Sequence, residues 1–493
     1  MLKFLRQPFR GGIHPDSHKL LTCNNGIDRE FWPRNVMLSL QLRNGAKLTP
    51  LVKPGDTVLR GQKIAEGRSE MVAPIHSPVN GVVTGIAQHF NSHPSKAKCD
   101  TIIIRANSDR RWGESAPQGS FYQLSADEII TRVRDAGIVG LGGAGFPTAA
   151  KLSFARSANV DTLVINGGEC EPYLTCDDVA MQQYAAEIVA GVRLILTACG
   201  AKQAIIGIED NKPKAIEQLR SAASEDEKIQ VLSVPSIYPM GSERHLIKSV
   251  TGKTVPVGKL SNSIGILTHN IATTRAVYQA VRFRRPLVSR VITVSGRGIG
   301  SPRNVEVPVG TPVHELLAWC GGISDSTARL VFGGPMMGQV ISSPYIPIDK
   351  TVGGILALTD AEVRQRQPSD CIRCGQCVRA CPMGLMPFQM AAFSRISDFS
   401  AAENIGIQHC LGCGACSYVC PSAIPLVQYF LHAKGSINAN RLKAQRSAKA
   451  KALNEIRLQR LAEEAAAKQA AKASKRRERA PRASRPVKEL EHD

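Results

Sequence analysis

The chain has 493 residues, 43% of them hydrophobic, with 62 Lys and Arg against 41 Asp and Glu for a formal charge of +21. That length implies three or more domains, and the apolar content is ample for ordinary cores. The most apolar region, 188–199, contains Arg193, so no membrane-spanning helix is expected, and the basic opening MLKFLRQPFRGG lacks the apolar core of a signal peptide.

Residues 1–29 form an N-terminal segment. Residues 30–115 read as all-β: in LVKPGDTVLRGQKIA (51–65) and APIHSPVNGVVTGI (73–86), short Val-rich strands alternate with Gly and Pro turns. This resembles the barrel-sandwich fold of biotinyl and lipoyl domains, which carry a prosthetic group on a hairpin lysine. Here the hairpin reads GRSEM (67–71), with no lysine. The fold is therefore expected without its swinging arm, in a structural or docking role.

Residues 116–285 read as α/β. Ser125 caps a helix over 126–136, with Asp127 and Glu128 in its first turn. GIVGLGGAGFPTAAKL (137–152) follows, placing Gly140, Gly142, Gly143 and Gly145 within six residues. Glycines let backbone N–H groups approach a phosphate, and the next helix N-terminus adds favourable partial charge. Pro147 and Thr148 suit that start. A helix precedes this run, the wrong context for a dinucleotide fingerprint, so a tight turn without ligand stays open beside phosphate binding. A strand over 161–165 opens into NGGECEPYLTCDD (166–178), and another over 204–208 ends in Glu209 and Asp210. This alternation predicts a parallel sheet with crossovers. Residues 286–342 return to β character: strands 290–295 and 305–309, then a helix over 311–319, suggest a β-grasp unit.

Residues 361–430 hold eight of the fourteen cysteines, in CIRCGQCVRACP and CLGCGACSYVCP. Two copies of C-x2-C-x2-C-x3-C-P make the run of two-cluster ferredoxins. Three thiolates wrap one face of an iron–sulfur cube, and the fourth reaches the other cluster. One [4Fe–4S] cluster is thus assigned to Cys371, Cys374, Cys377 and Cys420, the other to Cys410, Cys413, Cys416 and Cys381. Structural zinc would leave a third cysteine in each run unexplained, and disulfides across such short spacings are geometrically poor. The other six cysteines show no disulfide framework, and ligand thiolates must stay reduced, which favours a cytosolic face. Residues 387–407 read as helix, favouring a helical ferredoxin-like module. In the tail, 435–493, the stretch from Lys434 onward holds 17 Lys and Arg against 7 Asp and Glu, about half the net charge. Ala-rich residues 440–478 suit a long helix ended by Pro481 and Pro486. A soluble or partly disordered basic tail is the first reading, and contact with anionic lipid the second. No aromatic follows Phe430, so nucleic acid is not expected as a partner.

GLGGAGFPTAAKL resembles the flavin-binding loop of the NADH-oxidising flavoprotein subunit of respiratory complex I. INGGECEPYLTCDD, YPMGSERHLIKSVTGK (238–253) and HNIATT (269–274) resemble further segments of the same site, and VSGRGIGSPRNVEVPVGTPVHELLAWCGG resembles the soluble-ligand-binding β-grasp (SLBB) domain that follows it. With the barrel-sandwich in front and the two-cluster module behind, roughly residues 1–430 resemble the RnfC (RsxC) family of the Rnf/Rsx ion-translocating electron transport complexes. The resemblance implies a multidomain α+β fold. It also implies that Gly140, Gly142, Gly143, Gly145 and Lys151 line an FMN, that Asn166 and Asn270 hydrogen-bond it with Thr273 nearby, and that Glu169 and Glu171 face NADH. The loop departs from the family pattern in having no arginine within 137–152 and in placing His269 before Asn270. Further implications are a peripheral place on the cytoplasmic side of the inner membrane, integral membrane and other Rnf/Rsx subunits as partners, and NADH or ferredoxin as electron partners. In the enterobacterial branch there is also a link to keeping a redox-sensing iron–sulfur regulator reduced. Two rivals stay open: an iron–sulfur relay with a degenerate flavin site, and a nucleic-acid-associated redox sensor.

Overall fold

The computed structural model describes residues 9–42, 45–90, 98–113, 123–363 and 366–478. The expected helix stops at Pro481 and Pro486 lie outside these residues, as do the first eight positions.

Two small sheets form the barrel-sandwich: Asn35–Ser39, Lys98–Ala106, Gly81–Phe90 and Thr57–Val58 in one, and Thr49–Pro50, Lys63–Glu66 and Ile75–His76 in the other. Alternate residues such as Val36, Leu38, Ile102 and Ile104 point inward and meet Val58, Ile64 and Val83. Gly81 is required by close approach, because a Cβ there would stand 2.2 Å from the Arg105 carbonyl oxygen. The hairpin at 67–71 is docked on the next unit, where Glu70 meets Arg134 at 3.1 Å.

Four parallel strands follow, in the order Ile229–Val234, Gln203–Glu209, Thr162–Gly167, Ile266–Asn270. The period of two sorts their faces: Leu163, Ile165, Ile206 and Ile208 join the core under helices Ala126–Asp135, Thr148–Ser157, Ala185–Cys199 and Ile271–Phe283. Val164, Ile205 and Ile266 pack on Leu246, Ile247 and Val250 of Glu243–Thr251. Ser125 closes a full capping box with Glu128.

A six-stranded sheet comes next, ordered Ile27–Asp28, Arg303–Pro308, Ser289–Ser295, Gly354–Thr359, Thr327–Phe332, Gln339–Ile341. Two of its strands come from outside 286–342. Lys350, buried, donates to the Gly137 carbonyl at 2.8 Å and to that of Pro74 at 3.2 Å, tying three units together.

In the cysteine-rich module the single helix expected over 387–407 is broken. Pro387–Arg395 ends, Ser397 turns through φ 60°, and Phe399–Asn404 restarts with the Asp398 carboxylate accepting from Ala401 N. Asp398 is a strong N-cap, and its short side chain favours a fresh start over continuation. The final helix is longer than expected, Leu426–Glu478. Leu426, Phe430, Ala433 and Ile437 pack it into the module, and the turns beyond residue 437 are exposed.

Candidate functional site

Strands Thr162–Gly167 and Ile266–Asn270 end side by side, so Asn166 and Asn270 are register partners at their carboxyl ends. Ligands of open parallel sheets sit at such ends. Asn270 caps the helix Ile271–Phe283, its Oδ1 accepting from Ala272 N at 2.8 Å, and its Nδ2 donates to Asp177 at 2.7 Å. Asn166 accepts from Gly168 N at 2.9 Å and donates to the Gly241 carbonyl at 2.8 Å. Leu141 N donates to Thr273 Oγ1 at 2.9 Å, which ties the glycine run to the same helix.

These loops border a cleft of about 590 Å³. Gly142, Gly143, Asn166, Glu169, Glu171 and Asn270 line it. Gly140, Gly145, Lys151 and Thr273 stand outside the lining. Buried Lys151 donates to the Thr268 carbonyl at 2.5 Å, and burial holds its pKa below the usual lysine range. The opposite wall was not read from sequence: it is the GGPMMG run of the β-grasp unit, with Gly333, Gly334, Met337 and Gly338. The cluster of glycines in that run was the signal available. A Cβ on Gly334 would come within 2.2 Å of Glu171 Oε2, and one on Gly168 within 3.0 Å of the Gly241 Cα. Side chains at these positions would crowd the walls, so the space is kept by bare backbone, as a flat heterocycle and its phosphate require.

The two candidate carboxylates differ. Glu169 is buried at the start of the Cys176–Gln183 helix, accepting from Asp177 N at 2.9 Å and Asp178 N at 3.3 Å. Burial, reinforced by the neighbouring Asp177 charge and opposed by Lys19, raises its pKa. Lys19 Nζ donates to the carbonyls of Glu169 at 2.8 Å and Glu171 at 3.0 Å, and to that of Leu174, so the N-terminal segment clamps this loop. Glu171 accepts from Met336 N at 3.0 Å and Met337 N at 2.9 Å. Burial nevertheless pushes its pKa up to about 7. A carboxyl so placed holds or releases a proton near neutral pH.

Cys371, Cys374, Cys377 and Cys420 surround one small cavity with Phe388 and Ile424. Cys381, Cys410, Cys413 and Cys416 surround another with Leu385 and Met390. The crossing of the fourth cysteine between runs is thus present in the geometry. Among the described residues no three His, Cys, Asp or Glu side chains converge on a point fit for a single metal ion. The second tetrad is the one that faces the cleft: Cys413 and Leu411 belong to the cleft wall, and Tyr238 Oη donates to the Cys413 carbonyl at 2.6 Å. His245 Nε2 lies 3.3 Å from the Pro382 carbonyl, and Gly12 N donates to that of Ala380 at 3.1 Å, fixing the same side of the module.

Four family models match the chain: an RnfC barrel sandwich hybrid domain over 7–109, a Nuo51 FMN-binding domain over 133–279, an SLBB domain over 291–340 and a 4Fe-4S dicluster domain over 364–421. The RnfC-type component of the ion-translocating oxidoreductase complex of Rhodobacter capsulatus is 44% identical over 432 residues, 87% of this chain and 83% of that protein. Proteins of the same name from Serratia proteamaculans and Yersinia enterocolitica are each 41% identical over 462 residues, 94% of this chain but 65% and 66% of those longer proteins. Among solved structures, an H2-reduced NAD+-reducing [NiFe]-hydrogenase aligns with TM-score 0.48 at 21% identity, over 64% of this chain and 63% of that one, too remote to bear on function. Identity of this extent, together with four domain matches in the same order, shows that the chain belongs to the RnfC family of ion-translocating oxidoreductase complex subunits.

Proposed function

We propose that this protein exchanges electrons between a nicotinamide nucleotide or ferredoxin and its membrane partners. In this reading the glycine-walled cleft takes FMN and the two tetrads take one [4Fe–4S] cluster each. The observation that carries it is the shared wall: Cys413 of the second tetrad lines the cleft, and Tyr238 hydrogen-bonds its carbonyl. Bound there, FMN supplies exchange between a two-electron hydride donor and one-electron carriers, and the clusters supply single-electron transfer.

The chain's own residues do the positioning. Gly142 and Gly143 leave backbone room for the flavin, while Gly140, Gly145, Lys151 and Thr273 shape the loop from behind. Asn166 and Asn270 set the two loop starts. Glu169 holds its own loop, and Glu171 is the carboxyl placed to face an incoming nucleotide and to hold a proton there. Leu385, Met390, Phe388 and Ile424 keep water from the tetrads, which tunes their potentials.

Among the described residues no single helix is long and apolar enough to cross a membrane. Peripheral attachment at the cytoplasmic side of the inner membrane, through integral membrane subunits, fits that, with the exposed basic helix as an added contact for anionic lipid. Electron supply to a redox-sensing regulator rests on the enterobacterial resemblance alone. A second reading, a relay with a degenerate flavin site, draws on Asn166 and Asn270, whose side chains are already engaged within the loops.

Cofactor analysis after anaerobic purification separates the two. The first expects FMN with about eight irons per chain; iron without flavin favours the relay.

A further inference from the structure

A second cavity, of about 430 Å³, lies where the barrel-sandwich, the parallel sheet and the β-grasp sheet meet. Six arginines and three carboxylates line it. The carboxylates are engaged already: Asp177 with Asn270 at 2.7 Å, Glu187 with Arg275 at 2.7 Å, and Glu306 with Ser289 at 2.9 Å. At the mouth, three guanidiniums gather on two tryptophans. Arg60 stands 4.3 Å from the Trp112 ring centre and 5.3 Å from that of Trp32, Arg110 is 5.3 Å from Trp32, and Arg285 is 5.1 Å from Trp112.

The Nε groups of Arg60 and Arg285 are out of solvent and meet no acceptor among the described residues. Arg60 donates through Nη1 to the Arg110 carbonyl at 2.9 Å, and Arg110 has only the exposed Glu30 carboxylate, at 3.9 Å. Burial pushes the Arg60 pKa down; Glu306 pulls it back, and the Arg285 and Arg110 charges push it lower again. Buried donors without acceptors and like charges held together are relieved by the same thing, an oxyanion. The tryptophan faces hold the guanidiniums in place before it arrives.

We propose that this cavity binds a small phosphorylated ligand, its phosphate lying among Arg60, Arg110 and Arg285. Three guanidiniums around one volume suit a dianionic phosphate better than a single carboxylate, and a cavity of this size leaves room for an organic body. Leu141, Cys176, Asp177 and Arg290 line both this cavity and the glycine-walled cleft, so the ligand rests against the back of the cleft. None of the three mouth arginines lines the cleft.

Two of the three tryptophans stand in this cavity, so emission from a Trp319→Phe background reports on it. The full-length holoprotein, in chloride buffer, is titrated with inorganic phosphate, pyrophosphate, AMP and citrate. The expected result is a saturable emission change with pyrophosphate or AMP. Arg60→Gln and Arg285→Gln should each weaken it at least tenfold, and Arg111→Gln, at an exposed side chain, should leave it unchanged. AMP binding more tightly than phosphate or pyrophosphate identifies an organic phosphate; the reverse order identifies a free inorganic one. Arg60→Lys keeps the charge but loses the fork, and is expected to weaken binding while preserving the fold if the glutamine variants do not fold. The proposal is overturned if no phosphate probe saturates, if citrate binds as tightly as pyrophosphate, or if the Arg60 and Arg285 variants bind like Arg111→Gln.

Discussion

The hydroxyl of Tyr238 donates to the carbonyl oxygen of Cys413 at 2.6 Å, across the boundary between the parallel-sheet unit and the cysteine-rich module. One residue thereby belongs to the cleft wall and to the frame of the second tetrad. Tyr238→Phe leaves a buried carbonyl without this donor, a loss of about 1–3 kcal/mol in stability. Removing a donor beside a cluster also disfavours its reduced, more negative state. A lower midpoint potential for the second cluster, with the first unchanged, is expected in a redox titration followed by paramagnetic resonance; equal shifts in both would contradict it.

Cys381 sits in the first sequence run but lines the second cavity, and Cys420 does the reverse. Cys381→Ala should damage the cluster held by Cys410, Cys413 and Cys416, and Cys420→Ala the one held by Cys371, Cys374 and Cys377. Paramagnetic resonance of the two reduced variants should show different signals missing. Loss of the same signal in both would refute the crossing.

Glu171 gives a pH dependence of definite sign. Its pKa is raised by burial from 4.5 to about 7, so the folded state holds the proton more tightly than the unfolded one. This favours folding below pH 4.5 and is lost as pH rises through about 7, a fall on the order of 3 kcal/mol. Glu171→Gln cannot titrate. Its thermal midpoint should gain on the wild type between pH 5.5 and 7.5, in melts run anaerobically. Parallel curves for the two proteins would rule the assignment out.

Lys19 clamps three carbonyls of the 169–174 loop. Lys19→Met removes charge-assisted bonds and should destabilise by about 1.5–3 kcal/mol. Because the loop carries Glu171, KM for NADH should rise with iron content unchanged. An unaltered KM would show that the clamp is structural only.

The two cysteine runs and the glycine loop were legible because each is local: spacing within about a dozen residues encodes the geometry. The parallel sheet was legible for the same reason, since buried strands such as Thr162–Gly167 are short apolar runs between helices. What escaped depends on pairing at a distance. Ile27–Asp28 is a two-residue strand with no pattern of its own until it meets Arg303–Pro308. Gly354–Thr359 is buried throughout, without the alternation that marks a half-exposed strand. The contacts of Gly334 with Glu171 and of Tyr238 with Cys413 join residues over 160 positions apart. The break at Ser397 was missed because the apolar spacing of Phe388, Ala391 and Ile396 outweighed the capping signal of Asp398.

Above all, the cleft and the second tetrad should work as one unit. Gly143 lines the cleft with φ +108°, which valine does not tolerate, so Gly143→Val should lose flavin and keep iron. The direct measurement is addition of NADH to the anaerobic wild-type chain, watched by flavin absorbance and paramagnetic resonance together. The expected result is bleaching of the flavin and the appearance of a reduced-cluster signal that is absent from Cys381→Ala and from Gly143→Val. Bleaching without any cluster signal, or a cluster signal that survives in Gly143→Val, would contradict it.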